Sequence, residues 1–203
     1  MDTFTKLSAV AASLPDANVD TDIIFPARFL VNTEKTGLEK FAFYEKRFDE
    51  NGAKRHDFVL NREPFRLAQI LVAGDNFGCG SSRENAVWAL NNLGIRCILA
   101  TSFGEIFYSN CFKNGMLPIL VTPEEIALLH ASADTGKPMT IDLVERQVVF
   151  DDTKRIGFDV PDWRRNALLN GWDEVDMIIN QEGARIAVFE AKQKQLMPWL
   201  YPL

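Results

Sequence analysis

The chain alternates short apolar runs with segments of helical periodicity. Residues 66–90 show this most clearly: an apolar run rich in β-forming residues leads into a glycine-rich turn, and a helical segment opened by Ser81, Ser82 and Arg83 follows. Residues 95–100 are predicted as the next strand. Two strands joined by a helix of this length predict a βαβ unit with a parallel pair and a right-handed crossover.

The same rhythm repeats further along the chain. A helix is predicted over residues 105–113 and a third strand over residues 116–121. Thr122, Pro123 and Glu125 then supply the N-cap, the first helical proline and the acidic partner of a capping box, so a short helix should follow.

The two ends of the chain have other patterns. Residues 4–14 predict one or two opening strands, and residues 36–47 predict a helix. From residue 138 apolar and polar positions alternate as in half-buried antiparallel strands, whereas the tail from about residue 161 reads as helical and ends in an amphipathic helix over about residues 181–195. The sequence therefore predicts a single α/β domain with a parallel βαβ core, antiparallel strands and a helical C-terminal extension.

Composition fits an ordinary soluble globular protein. The 203 residues are 47% hydrophobic and 25% charged, which is enough for a well-buried core without disulfides or a structural metal. The formal net charge of −6 argues against a nucleic-acid partner, because phosphate binding needs an excess of Lys and Arg on one face. We expect neither a targeting segment nor a membrane span, since the first residues lack a signal pattern and the apolar runs are short.

The cysteines indicate a reducing compartment. Cys79, Cys97 and Cys111 are odd in number, lie at long unequal intervals and form no CxxC pair. Cys97 and Cys111 fall inside predicted elements, where buried small apolar residues are the default, and Cys79 is expected to fit a crowded loop. We therefore predict a cytoplasmic protein with no metal site of its own.

A candidate anion site lies where Ser81, Ser82 and Arg83 open the predicted helix. Free N–H groups and the positive end of the helix dipole meet two hydroxyls and a guanidinium there. The residues do not fit a P-loop, a dinucleotide fingerprint or a nucleophile elbow, which need a lysine or further glycines at fixed offsets. A small carboxylate fits, because Arg83 can bind it with two parallel hydrogen bonds. Ser81 is then either a helix cap or a reactive hydroxyl.

Three ordered blocks carry a family resemblance. Residues 74–84 read GDNFGCGSSRE, residues 20–30 upstream read DTDIIFPARFL, and residues 102–118 downstream read SFGEIFYSNCFKNGMLP. Together with residues 57–61 and 189–192, these blocks closely resemble the small subunits of the 3-isopropylmalate dehydratase family over nearly the whole chain. The resemblance implies the three-layer β/β/α swivelling domain of the aconitase superfamily.

The resemblance also implies an activity and a partner. In this family 2-isopropylmalate loses water to give isopropylmaleate, and water returns at the neighbouring carbon to give 3-isopropylmalate, a step of leucine biosynthesis. A large subunit carries the three cysteines that hold a [4Fe–4S] cluster, so no cofactor is expected on this chain. The reaction site would be complete only after the two chains assemble, with a small dicarboxylate as substrate.

Residue roles follow by position from the same resemblance. Ser81 matches the general base that removes a proton α to a carboxylate, and Ser82 and Arg83 match residues that hold substrate carboxylates. The segment in which family members select the substrate side chain contains four candidate residues, namely Arg28, Phe29, Leu30 and Val31.

Two alternative functions remain open on the residues themselves. One methylene in an apolar pocket is worth only about 1–3 kcal/mol, so a related dehydratase acting on citramalate or dimethylmalate fits the same residues. A non-catalytic module that binds anions or a partner at the same corner is the second alternative.

Overall fold

A computed structural model describes residues 1–32 and 34–201 of the chain. Its strands form one mixed seven-stranded sheet in the order β4-β3-β2-β1-β5-β6-β7. Their bounds are β1 Lys6–Leu14, β2 Ile70–Ala73, β3 Cys97–Ala100, β4 Leu117–Leu120, β5 Pro138–Asp142, β6 Gln147–Phe150 and β7 Lys154–Gly157.

Two very short helices, five longer ones and several 3₁₀ turns connect and follow these strands. The α-helices are α1 Thr21–Ile24, α2 Tyr44–Arg47, α3 Glu84–Asn92, α4 Glu105–Lys113, α5 Pro123–Ala133, α6 Asp162–Asn170 and α7 Glu174–Leu196. The 3₁₀ turns are Ala27–Phe29, Val59–Asn61, Phe65–Leu67 and Pro198–Leu200.

Strand β1 joins a parallel half of the sheet to an antiparallel half. Its second half, from Ala11 to Leu14, pairs in parallel with β2, and its first half, from Lys6 to Val10, pairs antiparallel with β5. Strands β2, β3 and β4 continue in parallel, whereas β5, β6 and β7 continue antiparallel. The predicted α/β class, the parallel βαβ units and the antiparallel strands are confirmed.

The sheet separates two apolar clusters. On one face α1 and α3 and the long segment between β1 and β2 pack on residues such as Leu71 and Ile98. The other face packs Ile70, Val72 and Leu99 of the parallel half with residues of α5, α6 and the antiparallel strands. One cluster therefore spans both halves of the sheet.

The prediction of a helix over residues 36–47 is wrong. Only Tyr44–Arg47 is α-helical, because Gly37 and Phe43 have left-handed backbone conformations with φ of +75° and +51°. The Leu38 N–H donates to the side chain of Asn92 instead of to a helical carbonyl, at 3.0 Å. The apolar residues of this segment pack on the core without helical continuity.

The last helix is longer than predicted. Helix α7 begins at Glu174, where Asp173 and Asp176 form a capping box, and it runs for 23 residues. No helix within residues 1–32 and 34–201 is both long and apolar enough to cross a bilayer.

Candidate functional site

Three loops meet at the carboxyl ends of the parallel strands β1, β2 and β3. The Gly78 N–H donates to the Val19 carbonyl at 2.7 Å, and the Phe77 N–H donates to the Ser102 carbonyl at 3.1 Å. The hydroxyls of Thr101 and Ser102 both donate to Asp75 Oδ1, at 2.9 and 2.6 Å. Hydrogen bonds from both neighbouring loops therefore hold the glycine-rich loop between β2 and α3.

Two glycines allow the loops to approach this closely. Gly78 has a φ of +71°, and a Cβ at this position would lie 2.2 Å from the ring of Phe107. Gly104 opens α4 with an ordinary φ of −59°, but a Cβ there would lie 2.4 Å from the Gly78 carbonyl oxygen. The first glycine is required by conformation and space together, and the second by space alone.

Helix α1 supports the loop from the other side. Asp20 caps it by accepting hydrogen bonds from the N–H groups of Asp22 and Ile23, at 2.9 and 2.7 Å. Thr21 is buried, its N–H donates to the Cys79 carbonyl at 2.9 Å, and its hydroxyl donates to the Ser81 carbonyl at 3.0 Å. These hydrogen bonds fix the backbone of Ser81, while the residue itself remains exposed to solvent.

Ser81 and Ser82 are exposed and precede helix α3. The prediction that they open this helix needs correction, because α3 begins at Glu84 and Arg83 is its N-cap residue. The Ser81 carbonyl already accepts from Thr21 and from the Arg83 N–H, so it takes no part in the helical ladder. The helix-cap interpretation of Ser81 is thus wrong, and both serines lie immediately before the N-cap of α3.

Arg83 forms an ion pair with Asp22 of α1. Asp22 Oδ1 also accepts from the Ala27 N–H at 2.8 Å, so one carboxylate ties the arginine to the start of the next segment. The hydrogen bond from Arg83 is the main cause that lowers the pKa of Asp22, followed by the bond from Ala27. Asp22 therefore stays ionised and holds the guanidinium at the mouth of the site.

Arg28 lines the same groove as Asp22. Its guanidinium forms an ion pair with Glu45 and lies 4.6 Å from the ring centroid of Phe29 and 5.1 Å from that of Tyr44. Its positive charge also contributes to lowering the pKa of Asp22. An open groove lined by Asp22, Arg28 and Glu45, among others, runs between α1 and α2.

The other predicted residues of this segment differ in placement. Phe29 is half-buried and stacks on Phe41 with ring centroids 4.4 Å apart, so its ring belongs to an aromatic cluster. Leu30 is exposed and Val31 is 84% exposed, and Val31 lines a separate groove beside Lys40. The structure thus brings Arg28 and Arg83 together around Asp22 but leaves Leu30 and Val31 outside that cluster.

The ion pair between Asp22 and Arg83 was not predicted from the sequence. A contact between residues 61 positions apart has no local signature in the sequence. One signal was available: residues 20–30 and 74–84 both belong to the blocks that carry the family resemblance, which could have indicated that they lie together.

The cysteines and histidines lie apart from this chemistry. Partial burial, with Asp20 nearby, raises the pKa of the Cys79 thiol, and full burial raises the pKa of Cys97 and Cys111. His130 is half-buried with Nδ1 2.9 Å from the Ser13 hydroxyl, and burial lowers its pKa. Among the residues that the structure describes, no group of three His, Cys, Asp or Glu side chains could hold a metal ion.

Comparisons with known proteins agree with this arrangement. The profile of the aconitase C-terminal domain matches residues 1–124. The 3-isopropylmalate dehydratase small subunits of Brucella anthropi and Brucella canis are each 51% identical over 201 residues, covering 98% of this chain and 100% of theirs. The crystal structure of a 3-isopropylmalate dehydratase from Methanocaldococcus jannaschii superposes with a TM-score of 0.64 at 28% identity, covering 92% of this chain and 99% of that one.

The identity and the coverage are high enough to decide the family. The matched region contains the loop with Ser81, the short helix α1 and both parallel crossovers, which are the elements that build the site. The chain therefore belongs to the 3-isopropylmalate dehydratase small-subunit family, hydro-lyases of the aconitase superfamily.

Proposed function

We propose that this chain supplies the proton-transfer and carboxylate-binding half of an isopropylmalate dehydratase. The observation that carries the proposal is the exposed Ser81 just before α3, two residues from Arg83, whose guanidinium is fixed by its ion pair with Asp22. The enzyme would convert 2-isopropylmalate to 3-isopropylmalate through isopropylmaleate.

Ser81 would act as the general base. Its deprotonated oxygen takes the proton from the carbon α to a carboxylate, the electron pair of that C–H bond forms the double bond, and hydroxide leaves the neighbouring carbon. In the second half of the isomerisation the same hydroxyl gives its proton to the carbon that lost hydroxide, while hydroxide bonds to the carbon that lost the proton. The Arg83 charge and the free N–H groups of α3 both favour the ionised form of Ser81.

Arg83 and Ser82 would bind the substrate carboxylates. Arg83 is 21% exposed and already pairs with Asp22, so its guanidinium is held in a fixed orientation before substrate arrives. A substrate carboxylate would bind its remaining N–H groups, with the Ser82 hydroxyl as a further donor. Arg28 would place a second cation near Asp22. Leu30 and Val31 lie outside the cluster around Asp22, and as exposed apolar residues they would offer surface to the isopropyl group from a neighbouring position, with their segment anchored to the aromatic cluster by Phe29.

We assign the iron–sulfur cluster of aconitase-type enzymes to a large-subunit partner. The residues of this chain do not fit such a cluster, because Cys97 and Cys111 are fully buried and the half-exposed Cys79 has no second cysteine in its loop. The partner is inferred from the small-subunit names of the relatives. Three free cysteines also support a reducing compartment such as the cytoplasm.

Substitution of Ser81 by alanine in the assembled two-chain enzyme tests this proposal. We expect turnover of 2-isopropylmalate to fall by about 10²–10⁴-fold, the usual contribution of a general base, with unchanged assembly. Ser8→Ala is the matched control, because Ser8 is an exposed serine on β1 whose hydroxyl bonds the hydroxyl of Thr140. Turnover by Ser81→Ala at the rate of the control would refute Ser81 as the base.

A further inference from the structure

Ser102, in the loop between β3 and α4, hydrogen-bonds three successive residues of the glycine-rich loop. Its hydroxyl donates to Asp75 Oδ1 at 2.6 Å and accepts from the Asn76 N–H at 2.8 Å. Its carbonyl accepts from the Phe77 N–H at 3.1 Å. We call these three hydrogen bonds the Ser102 clasp, and they join the loop that leads to Ser81 to its neighbour on the β3 side.

The Ser102 hydroxyl both donates and accepts in this clasp. Hydrogen bonds from Ser102 and then from Thr101 lower the pKa of Asp75, so this carboxylate is ionised near neutral pH and accepts the Ser102 proton. The Ser102 oxygen is then free to accept from Asn76. Asn76 has a left-handed backbone with φ of +55°, which a non-glycine residue adopts at a cost. The clasp therefore stabilises an unfavourable turn five positions before Ser81.

The next part of the loop is held from the opposite side. The Gly78 N–H donates to the Val19 carbonyl at 2.7 Å, and Thr21 donates to the carbonyls of Cys79 and Ser81. Residues 75–77 are thus fixed to the β3–α4 loop, and residues 78–81 are fixed to the β1–α1 loop. Because both sets of bonds hold one short segment, the position of Ser81 depends on the clasp as well as on its own tethers.

We propose that Ser102 is a positioning residue, whose clasp sets the distance between Ser81 and the substrate carbon that gives up its proton. The inference rests on the proposed function, which makes Ser81 the base. Within residues 1–32 and 34–201 Ser102 makes no hydrogen bond to Ser81, Ser82 or Arg83, so it acts through the loop backbone. A misplacement of about 1 Å at a reacting group can lower the rate about 100-fold.

The test compares Ser102→Ala with Ser132→Ala in the assembled two-chain enzyme. Ser132 is the matched control, because its hydroxyl also donates to an aspartate, Asp151, at 2.7 Å, but at the antiparallel half of the sheet. For each variant kcat, KM and the folded fraction are measured. The kinetic isotope effect is measured with 2-isopropylmalate deuterated at the carbon that loses its proton.

We expect Ser102→Ala to lower kcat per folded enzyme by about 10–100-fold with little change in KM, because the substrate-binding groups are retained. Its isotope effect should be at least as large as that of wild type, since the slowed step is proton transfer. Ser132→Ala should keep both the wild-type kcat per folded enzyme and the wild-type isotope effect. Ser102→Thr, which retains a hydroxyl, should recover most of the lost kcat.

Three results would overturn the positioning role. They are a fall in turnover no larger than the fall in folded fraction, an isotope effect below that of wild type, and wild-type turnover by Ser102→Ala while Ser81→Ala is inactive. Turnover by Ser81→Ala at the wild-type rate would instead refute Ser81 as the base, and with it the proposed function.

Discussion

Substitution of Gly104 by alanine should distort the candidate site without altering Ser81, Ser82 or Arg83. Gly104 has an ordinary φ of −59°, so alanine meets no conformational penalty there. Its Cβ, however, would lie 2.4 Å from the Gly78 carbonyl oxygen and 2.9 Å from Cys79 Cα. These are backbone atoms that cannot rotate away, so the two loops must separate.

The size of the effect follows from the distance. Ordinary contact begins at 3.4 Å, so the Gly78–Cys79 backbone must move by about 1 Å. Overpacking of this kind costs about 1–3 kcal/mol of unfolding free energy. Ser81 lies two residues beyond Cys79, and a misplacement of about 1 Å at a reacting group can reduce the rate about 100-fold.

Two assays measure these quantities separately. Urea unfolding of the chain gives the loss of stability, and turnover of 2-isopropylmalate by the assembled enzyme gives the loss of rate. Gly183→Ala is the control, because Gly183 lies inside α7 with no atom within 4 Å of an added Cβ, and alanine should stabilise the helix by up to about 1 kcal/mol. A Gly104→Ala enzyme with wild-type stability and rate would refute the proposed contact between the loops.

Three other substitutions probe the same corner. Thr21→Val removes the hydroxyl that donates to the Ser81 carbonyl. It should lower the unfolding free energy measured in urea by about 1–2 kcal/mol, and it should also lower the turnover of the assembled enzyme. Asp22 has a pKa below its usual 3.8, so its ionised form stabilises the fold above that pH and the contribution is lost as the pH falls through the lowered pKa. Asp22→Asn should therefore be less stable than wild type at pH 6, with a difference that shrinks toward pH 3. Cys79→Ser should retain turnover, and iodoacetamide should modify Cys79 at pH 7.5 more slowly than a small free thiol, because the pKa of Cys79 is raised.

The regular part of the fold could be predicted from the sequence because its signals are local. Buried strands such as β2 and β3 are short apolar runs, and Gly94 and Gly115 end the pattern of the helices between strands. Thr122 and Glu125 form the expected capping box with both hydrogen bonds present. An element whose strand pattern, caps and end signals all lie in one stretch of the chain can be predicted from that stretch alone.

Predictions failed where the cause lies elsewhere in the chain. Residues 36–43 have helical spacing, but the Leu38 N–H is satisfied by Asn92, which is 54 positions away. The Asp22–Arg83 pair likewise joins α1 to α3. The start of α7 at Glu174 is different, because the capping box of Asp173 and Asp176 is a local signal that the prediction of a helix from about residue 181 missed.

The site and the core of this fold are held by different interactions. Buried strands and backbone hydrogen bonds fix the loop that carries Ser81, and the Ser81 side chain itself is left exposed. Replacing that hydroxyl should therefore change unfolding free energy by less than about 0.5 kcal/mol, as for an ordinary surface position, although it removes the proposed base. Such a separation suits the proposed function, in which a partner completes the site, because exposed groups can contact a partner's surface without weakening the fold that presents them.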